Sequence, residues 1–421
     1  MLRLDRQPPS RSPDAPCLPL HTFVTIEIRD WIVQRALAGA GEVEILAGVC
    51  ERLEALGFRL LRASVASDLL DPTYDGRGVR WNRGEGGIEE VFPREDGATV
   101  NETWVRSPFY ALSEGGLTHL RRRFDATYRR AEFPLLDRFA DQGATDYVAF
   151  STRVGESVRF GEGQGIASSW LTDAPQGFSA AQVDALASLL PTLALAFMLR
   201  NTHRTAHTAI TTYLGSDAAL HVLGGNIVRG RATPITAVVW FSDLVSFTRI
   251  ADSASPEVVL ALLNDYAEAQ VDAIEMNGGH VLKFIGDGIL AIFRDDDSTR
   301  ACARALDAAA EQKRRIGALN ARRAAASLPV TGTQLALHVG ELLYGNVGSP
   351  RRLDFTVLGP AVNEAARIEA LCRSLEQAVI VSSAFADAAG QARERLVSLG
   401  RYAMKGVARP QELFTLDPGW R

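Results

Sequence analysis

The sequence is poor in cysteine. Cys17, Cys50, Cys302 and Cys372 are scattered over 421 positions, with no CxxC pair and no Cys/His cluster. That spacing argues against a disulfide framework or a cysteine zinc site and fits a reducing compartment. Charge of one sign is also lacking. The net value of −5 gives no overall pull toward nucleic acid or an anionic membrane. Long apolar runs are missing as well. The longest, ALASLLPTLALAFML at 185–199, has 15 residues with Pro191 inside, short of the roughly 20 that span a bilayer. The opening stretch MLRLDRQPPSRSPDAP has charge and proline but no apolar centre, unlike a secretory signal. The expectation is a cytoplasmic protein with no membrane span and no nucleic-acid partner, disordered over residues 1–20.

What is present is a globular composition. The chain is 47% hydrophobic and 23% charged, and its length allows two or three domains of roughly 100–200 residues. Residues 24–57 carry Ile32, Ala36, Ile45, Val49 and Leu53 near helical spacing and end at Gly57, which predicts a helix. FRLLRASVASDLL, GVRWNRG and GATDYVAFSTRV read as strands, and GEGG as a turn. SVRFGEGQGIASSWLT reads as a hairpin. Its GEGQG is a turn rather than a phosphate loop, because no helix starts directly after it. From Ser179, an N-cap, Val183, Leu186, Leu190, Leu193 and Phe197 follow a helical period. Helix, strands and a closing amphipathic helix make an α+β domain over residues 21–200. Residues 201–232 read as a helical linker of two short helices split by Gly215. His203 and His207 stand four apart there with no third ligand, as on a solvated helical face.

The pattern alternates more clearly over residues 233–421. ITAVVWFSDL is a strand. SPEVVLALLNDYAEAQVDAIEMNG is a helix with Ser255 as N-cap, Pro256 at its first position and Gly278 after its end. HVLKFIGDGILAIF reads as two strands joined by a tight turn at Ile-Gly-Asp-Gly. STRACARALDAAAEQKRRIGALNARRA is a helix, GTQLALHVGELLYGNVG two strands, and GPAVNEAARIEALCR another helix. AVIVS, LVSLG and QELFTL are further short strands. A βαββαβ core with antiparallel pairing is the ferredoxin-like plan.

Two of these apolar strands are interrupted by an aspartate: Asp243 at the end of VVWFSD, and Asp287 in the turn of KFIGDG. In a ferredoxin-like sheet the two strands can lie side by side, which brings both carboxylates to one edge. Carboxylates a few ångströms apart repel unless cations lie between them. Magnesium favours one or two carboxylates completed by water and substrate phosphate oxygens. Paired acids on such a sheet therefore point to two-metal phosphoryl chemistry. The alternative is that each aspartate caps its own turn.

The segments FSDLVSFT, LKFIGDG, LHVGELLYGNVG, DFTVLGPAVNEAARIE and MKGVARPQELFTL occur in the order seen in class III nucleotidyl cyclases. The chain resembles bacterial adenylyl cyclases with an N-terminal sensor. QGFSAAQVDALASLLPTLALAF, at 176–197, resembles the end of GAF-type sensor domains, with the PAS class as the alternative. The family resemblance implies that Asp243 and Asp287, helped by the Leu244 carbonyl, hold two Mg²⁺ or Mn²⁺ ions. It implies that Lys283 and Thr356 read the purine, with Lys and Thr suited to adenine where guanylyl cyclases carry Glu and Cys. It implies that Asn363 orients the ribose, that Arg367 stabilises charge on the reacting phosphate, and that Lys405 contacts the triphosphate. Without the resemblance, Lys283 is a snorkelling surface lysine and Arg367 a salt-bridge partner of Glu364 or Glu369. Glu341 stands where some members have arginine. Metal and base sites face each other across a subunit boundary in this family, which implies a head-to-tail homodimer.

The expected activity is conversion of ATP to 3′,5′-cyclic AMP and pyrophosphate, regulated by an unidentified small molecule or protein at the N-terminal domain. The alternatives are a guanylyl or relaxed purine cyclase, and an inactive nucleotide-binding module.

Overall fold

The computed structural model describes residues 20–94, 102–155, 165–404 and 410–417. The chain divides into two compact units, Met1–Ala209 and Ile210–Arg421.

The first unit opens with two helices, α1 (Leu20–Leu37) and α2 (Glu42–Ala55), where the sequence predicted one. The break falls at Gly39, whose φ of +81° no helix accommodates. Strands β1 (Leu60–Asp68), β2 (Tyr74–Asn82) and β3 (Gly86–Pro93) follow. Then come the short helices α3 (Glu102–Val105) and α4 (Pro108–Glu114), β4 (His119–Arg123), α5 (Pro134–Asp141), β5 (Asp146–Arg153) and β6 (Gly165–Thr172). The six strands form one sheet in the order β3-β2-β1-β6-β5-β4, each neighbour antiparallel. The first arm of the expected hairpin, SVRF, lies outside the described residues, and its second arm, β6, pairs with β5. Most of GEGQG lies outside the described residues.

Alternation divides the strands between two cores. On one face Val65, Trp81, Val148 and Trp170 pack against Ile32, Leu46, Leu53 and Leu193 of the helices. On the other, Leu120, Tyr147, Ala149 and Leu171 meet Leu112, Leu136 and Phe139 of α4 and α5. Helix α6 runs unbroken from Ala180 to Leu214, so the two linker helices expected after residue 200 are instead its continuation and one short helix. Its start is a reciprocal capping box. The Gln182 N–H donates to Ser179 Oγ (3.2 Å) and the Ser179 N–H to Gln182 Oε1 (2.9 Å). By length and composition alone α6 could cross a membrane. Leu186, Leu190, Leu193 and Phe197 are instead buried in the first core. His203 and His207 stand exposed on it.

The second unit contains α7 (Ser216–Leu223), β7 (Ala232–Leu244), α8 (Phe247–Ser253), α9 (Pro256–Met276), β8 (His280–Ile285), β9 (Gly288–Phe293) and α10 (Ser298–Ala325). After them come β10 (Thr333–Ser349), β11 (Arg352–Leu358), α11 (Pro360–Glu369), β12 (Val379–Ser382), α12 (Ser383–Ala388), β13 (Leu396–Tyr402) and β14 (Gln411–Leu416). The sheet runs β13-β14-β12-β10-β7-β9-β8, with β11 paired to β10. The four strands β10-β7-β9-β8 and helices α9 and α10 are the predicted ferredoxin-like core.

Strand β10 is one 17-residue strand rather than the two expected. It pairs with β7 from Thr333↔Leu244 to Gly345↔Ala232. Its glycines serve close packing, not a turn. A Cβ on Gly345 would lie 2.2 Å from the Arg231 carbonyl oxygen, and one on Gly340 2.8 Å from Ala361 Cβ. One sheet face packs Trp240, Phe293 and Leu337 against Ala305 and Leu306 of α10. The other packs Val239, Ile292 and Phe355 against Ala361 and Ala365 of α11. Cys50, Cys302 and Cys372 are buried and free, and Cys17 lies outside the described residues.

Candidate active site

The two aspartates meet. Strand β7 carries Asp243 next to its last residue, and the β8–β9 turn is Gly286–Asp287, with Gly286 at φ +64°. Antiparallel pairing of β7 with β9 sets Ser242 opposite Ile289 and swings the turn over the end of β7. The approach is close enough to require glycine at 288. A Cβ there would sit 2.6 Å from the Ser242 carbonyl oxygen and 3.3 Å from Asp243 Oδ1. The Leu244 N–H donates to Asp287 Oδ2 at 3.2 Å. Burial first, then the hydrogen bond and charge of Asp287, push the Asp243 carboxyl up to about 7. A third carboxylate, Glu369 at the end of α11, is also held above its usual range by burial and by the charge of Asp287.

Without cations Asp243 thus holds its proton more tightly than an ordinary carboxyl. Two half-buried carboxylates sharing one edge, with phosphate oxygens to complete the coordination, are a donor set that suits hard divalent ions. Among the described residues no group of three or more His, Cys, Asp or Glu forms a self-sufficient metal cage. A crevice of about 200 Å³ lies beside Asp287, between the hairpin residues Phe284 and Ile289 and the α9 residues Leu260, Leu263 and Asn264.

Strands β8 and β11 carry the two residues expected at the base. Lys283 of β8 forms an ion pair with Asp354 of β11. Thr356, two residues along the same strand and so on the same face, is 5% exposed. Its Oγ1 is buried without a hydrogen-bond partner. An orphaned buried hydroxyl is what a base edge would satisfy. Sequence reading missed Asp354. The alternation of LDFTV, with Asp354 and Thr356 both one step from the apolar Phe355, was the available signal.

Asn363 and Arg367 stand one turn apart on the exposed face of α11. The alternative salt bridge of Arg367 with Glu364 or Glu369 is not formed among the described residues. Glu364 instead lies 3.8 Å from His338 Nδ1, and that ring nitrogen is 2.9 Å from Ser382 Oγ. Burial lowers the pKa of His338, which favours the neutral ring. Glu341 is exposed on β10, and Lys405 lies outside the described residues.

Residues 231–417 match the family described as the adenylate and guanylate cyclase catalytic domain. Adenylate cyclase 1 of Rhizobium meliloti (strain 1021) is 29% identical over 181 residues, covering 40% of this chain and 27% of that protein. An adenylate cyclase of Anabaena cylindrica is 34% identical over 152 residues, covering 35% of this chain and 30% of that protein. The chain therefore spans less than a third of either relative's length. Among solved structures, the adenylyl cyclase CyaB of P. aeruginosa aligns at 23% identity and a TM-score of 0.41, over 45% of this chain and 98% of that one. The guanylyl cyclase Cya2 aligns at 27% identity and 0.39, over 45% and 97%. With the sequence match, the ferredoxin-like core and the aspartate pair in agreement, residues 231–417 are a class III adenylate/guanylate cyclase catalytic domain.

Proposed function

We propose that the chain is an adenylyl cyclase that converts ATP to 3′,5′-cyclic AMP and pyrophosphate. The observation that carries this is the close approach of Asp243 and Asp287, where burial and the neighbouring Asp287 raise the proton affinity of Asp243 and a cation would stabilise its charged form. Two Mg²⁺ or Mn²⁺ ions held by Asp243, Asp287 and the Leu244 carbonyl would activate the ribose 3′-hydroxyl and hold the departing pyrophosphate. Lys283 donates to adenine N1, and the Thr356 hydroxyl accepts from the exocyclic amine. GTP presents the reverse pattern and leaves both groups mismatched. Asn363 orients the ribose, and Arg367 stabilises charge on the reacting phosphate. Lys405 contacts the triphosphate. No side chain serves as a general base, and positioning with charge stabilisation is sufficient for this transfer.

Two chains form each site in a head-to-tail homodimer, one supplying the aspartates and the other Lys283, Thr356, Asn363 and Arg367. The crevice of about 200 Å³ in one chain supports this, being smaller than the ~300–1,000 Å³ of small-molecule sites. The N-terminal unit is a GAF-like regulator of a cytoplasmic enzyme. Its antiparallel sheet, flanked by an entry helix pair and a long exit helix, supports that role. Asp243→Ala and Asp287→Ala should each abolish metal-dependent turnover in a folded protein. Substantial activity in either contradicts the two-metal site.

A further inference from the structure

The sheet face under α4 and α5 carries Arg122, paired with Glu132 and over the Phe133 ring, and a second polar cluster in which the buried Tyr147 hydroxyl bonds with Ser169. Arg80 of β2 lies opposite Ser64 of β1, which lies opposite Ser169 of β6. The two serine hydroxyls are 2.8 Å apart and buried. Arg62, two residues before Ser64 and on the same face, lies across from Leu171 and holds its guanidinium 5.3 Å from the Phe139 ring centre of α5. Arg138 of the same helix stands at the rim, exposed.

Positive charge is in excess there. Glu90 is bonded to Arg80 Nη1 at 2.6 Å. Arg80 Nε is buried with no partner. Among the described residues, the Arg62 and Arg138 side chains make no hydrogen bond or ion pair. Burial is the largest cause lowering the pKa of Arg62, followed by the charge of Arg80, with Arg138 adding to it. A guanidinium whose stem merely covers apolar surface keeps its head in water. Arg62 is instead desolvated next to like charge, a state that calls for a counter-ion. The one carboxylate whose charge acts on it, Glu90, is shared with Arg80.

We propose that this patch binds a small oxyanion with a flat apolar body, its oxygens on Arg62 and Arg80 beside the two serine hydroxyls and its body against Phe139. A planar guanidinium fork matches a carboxylate or a phosphate group, and the Phe139 ring beside Arg62 favours an anion with an apolar body. The site identifies the chemical class of effector for the N-terminal unit. It is read by binding, so it stands or falls independently of the cyclase assignment.

The test is calorimetric titration of the full-length protein with benzoate and, separately, with inorganic phosphate. Benzoate should bind at millimolar concentrations and more tightly than phosphate. Arg62→Met should weaken it at least ~10-fold. Arg62→Lys, which keeps the charge but loses the fork, should weaken it less, and circular dichroism establishes that each variant is folded. Tighter phosphate binding that is lost in Arg62→Met would keep the site and assign it to phosphate esters. Failure of both probes to bind, or equal affinity in a folded Arg62→Met or Arg62→Lys protein, overturns the proposal.

Discussion

Lys283 and Asp354 form an ion pair between β8 and β11, and the unpartnered hydroxyl of Thr356 lies on the same face of β11. Asp354 restrains the ammonium that would otherwise sweep freely on a flexible stem. Purine choice is then a matter of which hydrogen bonds are left unpaired, at roughly 1–3 kcal/mol each. Lys283→Glu with Thr356→Cys should lower the preference for ATP over GTP, as the ratio of kcat/KM values, by at least ~10-fold. Asp354→Asn should lower it in the same direction by less. An unchanged ratio in a folded, dimeric double variant removes these residues from base reading.

The Asp243 carboxyl gives a pH signature. Its folded value, raised to about 7, lies above the ordinary 3.8. A group shifted this way stabilises fully below its unfolded value and loses that contribution as pH rises through its folded one. The metal-free protein should therefore lose thermal stability between about pH 4 and 7. Asp243→Asn should lose less, and Mg²⁺ or Mn²⁺ should restore wild-type stability above that range. Melting curves in chelator check this; identical pH profiles for the two proteins contradict a strained pair.

Gly288 should tolerate no side chain. Alanine there would press on the backbone oxygen of Ser242 and part β7 from β9 at the aspartates. Gly288→Ala should cost about 1–3 kcal/mol of stability and reduce turnover at least ~10-fold through a 1 Å-scale displacement of the metal ligands. Chemical denaturation and single-turnover rates measure the two effects.

Sharing of sites between chains has its own readout. Asp243→Ala and Asn363→Ala proteins should each be nearly inactive. Mixed, they should recover partial activity, because a heterodimer holds one site with both residues intact. No recovery when heterodimers are shown to form contradicts shared sites.

The aspartate pair was legible because each Asp breaks an apolar strand at a place where the ferredoxin-like order makes the strands neighbours. Other features were hidden for physical reasons. Glycines at 340 and 345 look like turn residues, yet they sit mid-strand where other groups pack too closely for a Cβ. The helices within residues 102–141 have only four to eight residues each, too short for a period to show. Gly39 interrupts an otherwise continuous helical pattern over 24–57 and was the overlooked signal. Asp354 was overlooked beside Thr356, and Glu369 was read only as a partner for Arg367. Lysine occurs at positions 283, 313 and 405 alone in a chain rich in arginine. That rarity is a composition signal that marks Lys283 without any resemblance.

The most direct measurement is product analysis of the full-length protein incubated with Mn²⁺ and either ATP or GTP. Cyclic AMP and pyrophosphate should form from ATP in equal amounts, cyclic GMP should form far more slowly, and Asp243→Ala should form neither. Cyclic GMP as the main product would contradict the adenylyl assignment, and no cyclic nucleotide from either substrate would contradict the account as a whole.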